Sequence, residues 1–188
     1  MDTLESVYKK IDGKILIEIK LSTVAQLFNS FDPAPFHEKE LDTDAEHYIV
    51  DIIKDFSPKT EFRIRIYLPN DIASSDQAQK IVPAIHNHFQ YKTLVTERKF
   101  RHQVRHGRRS FAIGLSFLAV ALISRELLVT SLKNPFFADL FADALLIFGW
   151  AAMWEPITVL LYELWPIKQQ RNIYRKISTM EIEILPSP

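Results

Sequence analysis

The chain has 188 residues, 47% of them hydrophobic, and its 23 basic and 23 acidic side chains cancel to a net charge of zero; one domain of ordinary size uses that length. Without a single cysteine it has no disulfide framework, thiolate nucleophile, iron–sulfur cluster or Cys-ligated zinc. The neutrality averages unequal parts: residues 1–91 hold 10 basic and 15 acidic groups, 92–109 hold 7 and 1, 110–166 hold 2 and 5, and 167–188 hold 4 and 2.

The first 13 residues contain no apolar run of signal-peptide length, so the N-terminus is expected in the cytoplasm. From Lys14 to Leu21 the chain reads KILIEIKL. Ile15, Ile17, Ile19 and Leu21 alternate against Lys14, Leu16, Glu18 and Lys20, the pattern of a strand with one buried face. Residues 22–36 begin as a short helix and end as a loop, since Pro33 and Pro35 force extended backbone before them; Phe28, Phe31 and Phe36 are expected to pin that loop. Thr43 with Glu46 has the spacing of a capping box, and Ala45, Tyr48, Ile49, Ile52, Ile53 and Phe56 recur at helical intervals behind it. After Ser57-Pro58, Phe62, Ile64, Ile66 and Leu68 alternate with Arg63, Arg65 and Tyr67 in a second strand. Strand, helix and strand make a unit whose right-handed crossover sets the strands parallel.

Beyond the turn at Pro69, Asn70 and Asp71, a long helix is predicted from about Ser75 to His106. Ile81, Ile85 and Phe89 face the sheet, and charge dominates from Lys92 to Arg109. From Ser110 an apolar run reaches Leu132, long enough to cross a hydrocarbon layer of roughly 30 Å. A second runs from Phe136 to Trp165. Lys and Arg crowd before the first run and after the second, with only Lys133 between, so the positive-inside rule places both termini in the cytoplasm. Tyr162 and Trp165 fall where an interfacial aromatic belt is expected. The tail returns as a strand, with Met180, Ile182 and Ile184 alternating with Glu181 and Glu183; beside the second strand these glutamates would meet Arg63 and Arg65.

The expected architecture is an α+β membrane protein, a small three-stranded α/β cytoplasmic domain interrupted by an antiparallel two-helix transmembrane hairpin. Residues 1–91 form the domain, 92–109 a basic juxtamembrane helix, 110–166 the hairpin and 167–188 the tail that returns as a strand.

Glu155 lies about 13 residues, or about 20 Å of helix rise, before Lys168, which places it within the bilayer. An ionised carboxyl there needs a partner, and Arg125 on the facing helix is the expected one, as a clasp of the hairpin or a contact to a neighbouring subunit. Pro156 removes a backbone donor and predicts a kink. Asp139 and Asp143 belong at the outer interface. His102 and His106 have the spacing of two ligands on one helical face, but Arg101, Arg105, Arg108 and Arg109 surround them and oppose a bound cation. His86 with His88, and His37 with His47, follow no metal-site spacing, so no metal and no cofactor are expected. The basic groups Arg98, Lys99, Arg101, Arg105, Arg108, Arg109, Lys168 and Arg171 are read as contacts to anionic lipid headgroups rather than to nucleic acid, because they adjoin an apolar span. No nucleophile elbow, phosphate loop or paired-carboxylate site is legible, so an enzyme is not expected.

Three phrases, FDPAPFHEKELDTDAEHYIVD at 31–51, HGRRSFAIGLSFL at 106–118 and GWAAMWEPITVLLYELWP at 149–166, together resemble a family of small uncharacterised bacterial membrane proteins. The resemblance implies a cytoplasmic α/β domain split by a two-helix membrane hairpin and brings no activity, cofactor or catalytic residue. The functional expectation is an inner-membrane anchor or scaffold, or an accessory subunit, which assembles through its hairpin and presents a cytoplasmic docking domain. The alternative is a homo-oligomeric ion or proton channel or transporter component using Glu155 and Arg125.

Overall fold

The computed structural model describes residues 8–35, 39–131 and 135–187. The chain divides into two compact units, one made of Met1–Val95 with Gln170–Pro188 and the other of Thr96–Gln169.

The first unit opens with a hairpin of β1 (Lys10–Ile11) and β2 (Lys14–Lys20). Its turn places Asp12 at φ 52° and Gly13 at φ 77°. Asp-Gly is a favoured pair where two turn residues must both be left-handed, and glycine adopts that backbone without steric cost. β1 is the strand missing from the sequence reading, so the sheet has four strands rather than three. After a 3₁₀ turn at Val24–Leu27, Phe28 is buried and bridges to Leu41. The Asn29 side chain then accepts from the Phe31 amide at 2.9 Å, and Phe31 ends 93% exposed instead of pinning the loop. Phe36, expected to share that role, lies outside the described residues.

α1 (Thr43–Lys54) leads to β3 (Phe62–Leu68), the short α2 (Asn70–Ala73) and α3 (Asp76–Ser131), a helix of 56 residues that runs through Pro83. α4 (Pro135–Ala152), α5 (Trp154–Thr158), a π-turn at Val159–Glu163, α6 (Leu164–Ile177) and β4 (Glu181–Pro186) follow. The strand order is β1-β2-β3-β4, with β2, β3 and β4 mutually parallel. Ile15 and Ile17 of β2 and Phe62, Ile64, Ile66 and Leu68 of β3 meet Ile49 and Ile53 of α1, Ile81, Ile85 and Phe89 of α3, and Ile177 of α6 in one core. Each such side chain contributes about 1.5–3 kcal/mol by leaving water. Leu16, assigned by alternation to the polar face, is also buried.

The other face of the sheet is ionic. Parallel register sets Arg63 beside Glu181 and Arg65 beside Glu183, as the alternating charges predicted. Arg63 reaches Glu181 at 2.9 Å and Glu183 at 3.2 Å, Arg65 Nε reaches Glu183 at 2.7 Å, and Lys14 reaches Glu181 at 2.9 Å. Hydrogen bonds from Lys14 and Arg63 hold the Glu181 carboxyl below its ordinary range.

In the second unit α3 runs against α4 and α5 with small residues at the contact. A Cβ on Gly114 would lie 2.7 Å from the Ala152 carbonyl oxygen, one on Gly107 2.8 Å from Val159, and one on Gly149 2.9 Å from Leu118. Gly107, Gly114 and Ala121 recur every seven residues on α3, and Ala142, Gly149 and Pro156 do so on the facing run; all six are buried. A seven-residue repeat keeps one seam of a helix on its neighbour, and small residues let the two backbones close. Outside the seam the surface is apolar: Ile113 is 70%, Ile147 67% and Trp154 75% exposed. Two helices are long and apolar enough to cross a membrane, with mean hydropathies of 1.9 and 1.7 in their most apolar windows. Replacing Gly114 by Val must push the Ala152 backbone away. We expect Gly114→Val to lower the thermal midpoint of the purified protein, by an overpacking cost of about 1–3 kcal/mol, whereas Ala112→Val, at an exposed position, leaves it unchanged.

Candidate functional site

The polar centre of the first unit is Glu46, 8% exposed. It is not the second half of a capping box. Asp42 caps α1, its side chain accepting from the Asp44 amide at 2.9 Å, which frees Glu46 to turn inward on the same stripe as Ile49 and Ile53. There its carboxylate accepts from His88 Nε2 at 3.0 Å, from Lys92 Nζ at 2.9 Å and from the Tyr174 hydroxyl at 3.0 Å. Gln170 donates to the Tyr174 oxygen at 2.9 Å. His88 Nδ1 accepts from the Leu41 amide at 3.2 Å, so the ring proton sits on Nε2 and points at Glu46. Burial pushes the Glu46 carboxyl up, but the hydrogen bonds of His88 and Lys92, the Lys92 charge and the Tyr174 hydroxyl outweigh it and carry the group from 4.5 to about 2. Burial, then the Glu46 charge and hydrogen bond, push Tyr174 up to about 12.

This arrangement is a clamp. Both His88 nitrogens are engaged, and every group on the carboxylate is a donor, so Glu46 is held as an anion with the Lys92 ammonium as its counter-charge. His86 is engaged as well, its Nε2 lying 2.8 Å from the Met180 carbonyl. An open groove of about 700 Å³ adjoins His88, lined by Asp32, Glu40, Tyr91 and Leu94. Asp32 shapes its rim by accepting from the Ala34 and Glu40 amides at 2.9 and 2.7 Å.

In the second unit the expected partnership of Glu155 and Arg125 is not formed. Glu155 Oε1 lies 3.2 Å from His106 Nε2 and 3.5 Å from Ser110 Oγ. Arg125 is about 15 residues, or about 22 Å of helix rise, beyond Ser110 on α3, and its Nε is buried without a hydrogen-bond partner among the described residues. The sequence reading of that pair within one chain rests on aligning Arg109 with Pro166. The seam instead pairs Gly114 with Ala152, Gly107 with Val159 and Gln103 with Glu163, shifting the second run along α3. Glu155 therefore stands level with the end of the basic stretch rather than deep in the apolar run.

Pro156 is buried where the helix breaks. α4 ends at Ala152, Met153 N donates to Trp150 O at 3.0 Å, and a π-turn follows at Val159–Glu163. The missing proline N–H accounts for the interrupted ladder. Arg98, Lys99, Arg101, Arg105, Arg108, Arg109 and Lys168 are exposed, and Arg101 lies 3.7 Å from Glu97. Arg171 is half-buried in the first unit. Tyr162 and Trp165 are 71% and 69% exposed. His102 is exposed while His106 faces Glu155, and among the described residues no three His, Asp or Glu side chains converge for a metal.

The geometry defines a mixed α+β protein with a clamped four-stranded unit and a pair of long apolar helices. Comparison with family models, with curated proteins and with solved structures finds no match to the chain.

The clamp is testable through pH. Because the Glu46 carboxyl is lower in the folded chain than in the unfolded one, its contribution is complete above about pH 5 and is lost as pH falls from about 4.5 towards 2. We expect Glu46→Ala to lower the unfolding free energy at pH 7 by about 3–5 kcal/mol, since Lys92 and the Tyr174 hydroxyl lose their partner. Acid titration of the unfolding midpoint should show a smaller decline below pH 4.5 in the variant than in the native chain.

Proposed function

We propose that the protein is an integral inner-membrane anchor or scaffold, with both termini in the cytoplasm, which uses α3 and the α4–α5 run as a transmembrane hairpin and presents its α/β unit for docking and assembly. One observation carries this reading. Only 11% and 17% of the most apolar helical windows are buried, whereas the core helix of a soluble protein has its apolar windows inside. The seam supports spans of residues 110–131 and 135–156, each near the length of a hydrocarbon layer, with the basic stretch meeting anionic headgroups. Tyr162 and Trp165 then face the interfacial layer beside the arginines of α3. Polar groups on the spans favour helix–helix contact beyond one pair, which supports self-association or assembly with a partner.

A pore built on Glu155 and Arg125 needs both groups on one path, and the helix pair sets them about 22 Å apart along α3. The anchor reading requires no such path. The absence of cysteine makes topology direct to measure. A cysteine at Asp139 should react with an impermeant maleimide in intact cells, and one at Ser57 only after the membrane is opened. The protein should also stay with membranes washed at pH 11. Release by that wash, or labelling of Ser57→Cys in intact cells, would overturn the reading.

A further inference from the structure

The seam of the helix pair contains a cavity of about 240 Å³ lined by Ser110, Ile113, Phe117, Ala152, Glu155 and Pro156. Its polar atoms are mainly acceptors. One is the Glu155 carboxylate, whose Oε1 meets His106 and Ser110. The Ser110 hydroxyl is a second, and the Ala152 carbonyl, to which the proline at 156 offers no helical N–H, is a third. The walls are Ile113 and Phe117, 70% and 49% exposed, which continue into the apolar surface of α3. Arg109 lies one turn before Ile113 on the same flank of α3, with Arg105 one turn earlier.

Acceptors at one point, guanidinium donors beside them and open hydrocarbon on the other side match a molecule with an ammonium, a neighbouring phosphate and an acyl chain. We propose that this cavity binds an aminophospholipid. The ammonium donates to Glu155, Ser110 Oγ and the Ala152 carbonyl, the phosphate meets Arg109, and an acyl chain lies along Ile113 and Phe117. The inference rests on the membrane reading above and adds a ligand class to it. Selectivity follows from the donors: a choline headgroup has the same charges but three methyl groups in place of three N–H bonds, so it leaves the acceptors unmatched.

The test uses the full chain reconstituted in nanodiscs of equal phosphatidylethanolamine and phosphatidylcholine with a fixed share of phosphatidylglycerol, then released into mild detergent for native mass spectrometry. We expect the ethanolamine lipid to be retained about tenfold over the choline lipid, the ratio that about one charge-assisted hydrogen bond supports. Glu155→Gln should abolish the preference. Pro156→Ala gives Ala152 a helical N–H partner, and should weaken the preference without lowering the thermal midpoint. Equal retention of the two lipids by the native chain, or a preference that survives Glu155→Gln, overturns the proposal. If Glu155→Gln does not fold, an unchanged preference in both Pro156→Ala and Ser110→Ala overturns it. Release of the protein at pH 11 would fail the membrane reading, whereas a chain that stays in the bilayer without a headgroup preference fails only this one.

Discussion

The contact of Gly114 with the Ala152 carbonyl is the constraint on which the apolar half of the molecule depends. Under the proposed membrane topology, helices surrounded by hydrocarbon gain nothing from the hydrophobic effect by touching, so their pairing rests on close backbone approach. The chain has four glycines, and three of them lie on this seam. A repeat of seven fixes the register as well as the distance, and the register decides the chemistry. It brings Glu155 to His106 and Ser110 and lays Val159 against Gly107. At that level the pair has two characters. α3 supplies exposed arginines, while the opposite run supplies Leu160, Leu161, Tyr162 and Trp165, each more than half exposed.

The α/β unit is organised by a charge instead. Burying a carboxylate costs several kcal/mol unless hydrogen bonds replace its water, and Glu46 receives His88, Lys92 and Tyr174. Those donors come from α3 and α6, so one residue of α1 ties together helices distant in sequence. Apolar packing alone tolerates small shifts between such helices, whereas three directed bonds to two oxygen atoms do not. Around it the aliphatic core supplies the bulk of the stabilisation and Glu46 the relative placement of the three helices.

Much of this fold was legible because alternation and helical spacing are local signals. β2, β3, β4 and α1 follow from the Ile-Lys, Ile-Arg and Ile-Glu alternations and from the Ile49–Ile53 stripe, and the ladder of Arg63 and Arg65 with Glu181 and Glu183 follows from their matched spacing. β1 was missed although Asp12-Gly13 is a hairpin signal, because two residues are too few to show a period. Glu46 and His88 each interrupt an apolar stripe, Glu46 among Ile49 and Ile53 and His88 beside Ile81 and Ile85. A polar residue on such a face points to a buried pair, but not to which residues meet. The contacts of Glu155 with His106 and Ser110 within the chain are not legible from charge, because helix register depends on where two surfaces close, and the visible clue is the seven-residue spacing of Gly107, Gly114 and Ala121.

The sheet also carries an order of assembly. β3 and β4 are neighbours in space, yet everything from α2 to α6 lies between them in the chain. As the polypeptide leaves the ribosome, β3 therefore waits with Arg63 and Arg65 lacking their glutamate partners and with one row of backbone groups unpaired while both apolar helices are made. Its completing strand arrives only after them. An exposed strand edge is a site for wrong pairing, and the positive charges along this one discourage a second copy from docking there. Under the proposed topology, closure of the cytoplasmic unit reports that both helices have been synthesised and delivered, so a failed insertion leaves an open sheet for quality control to recognise.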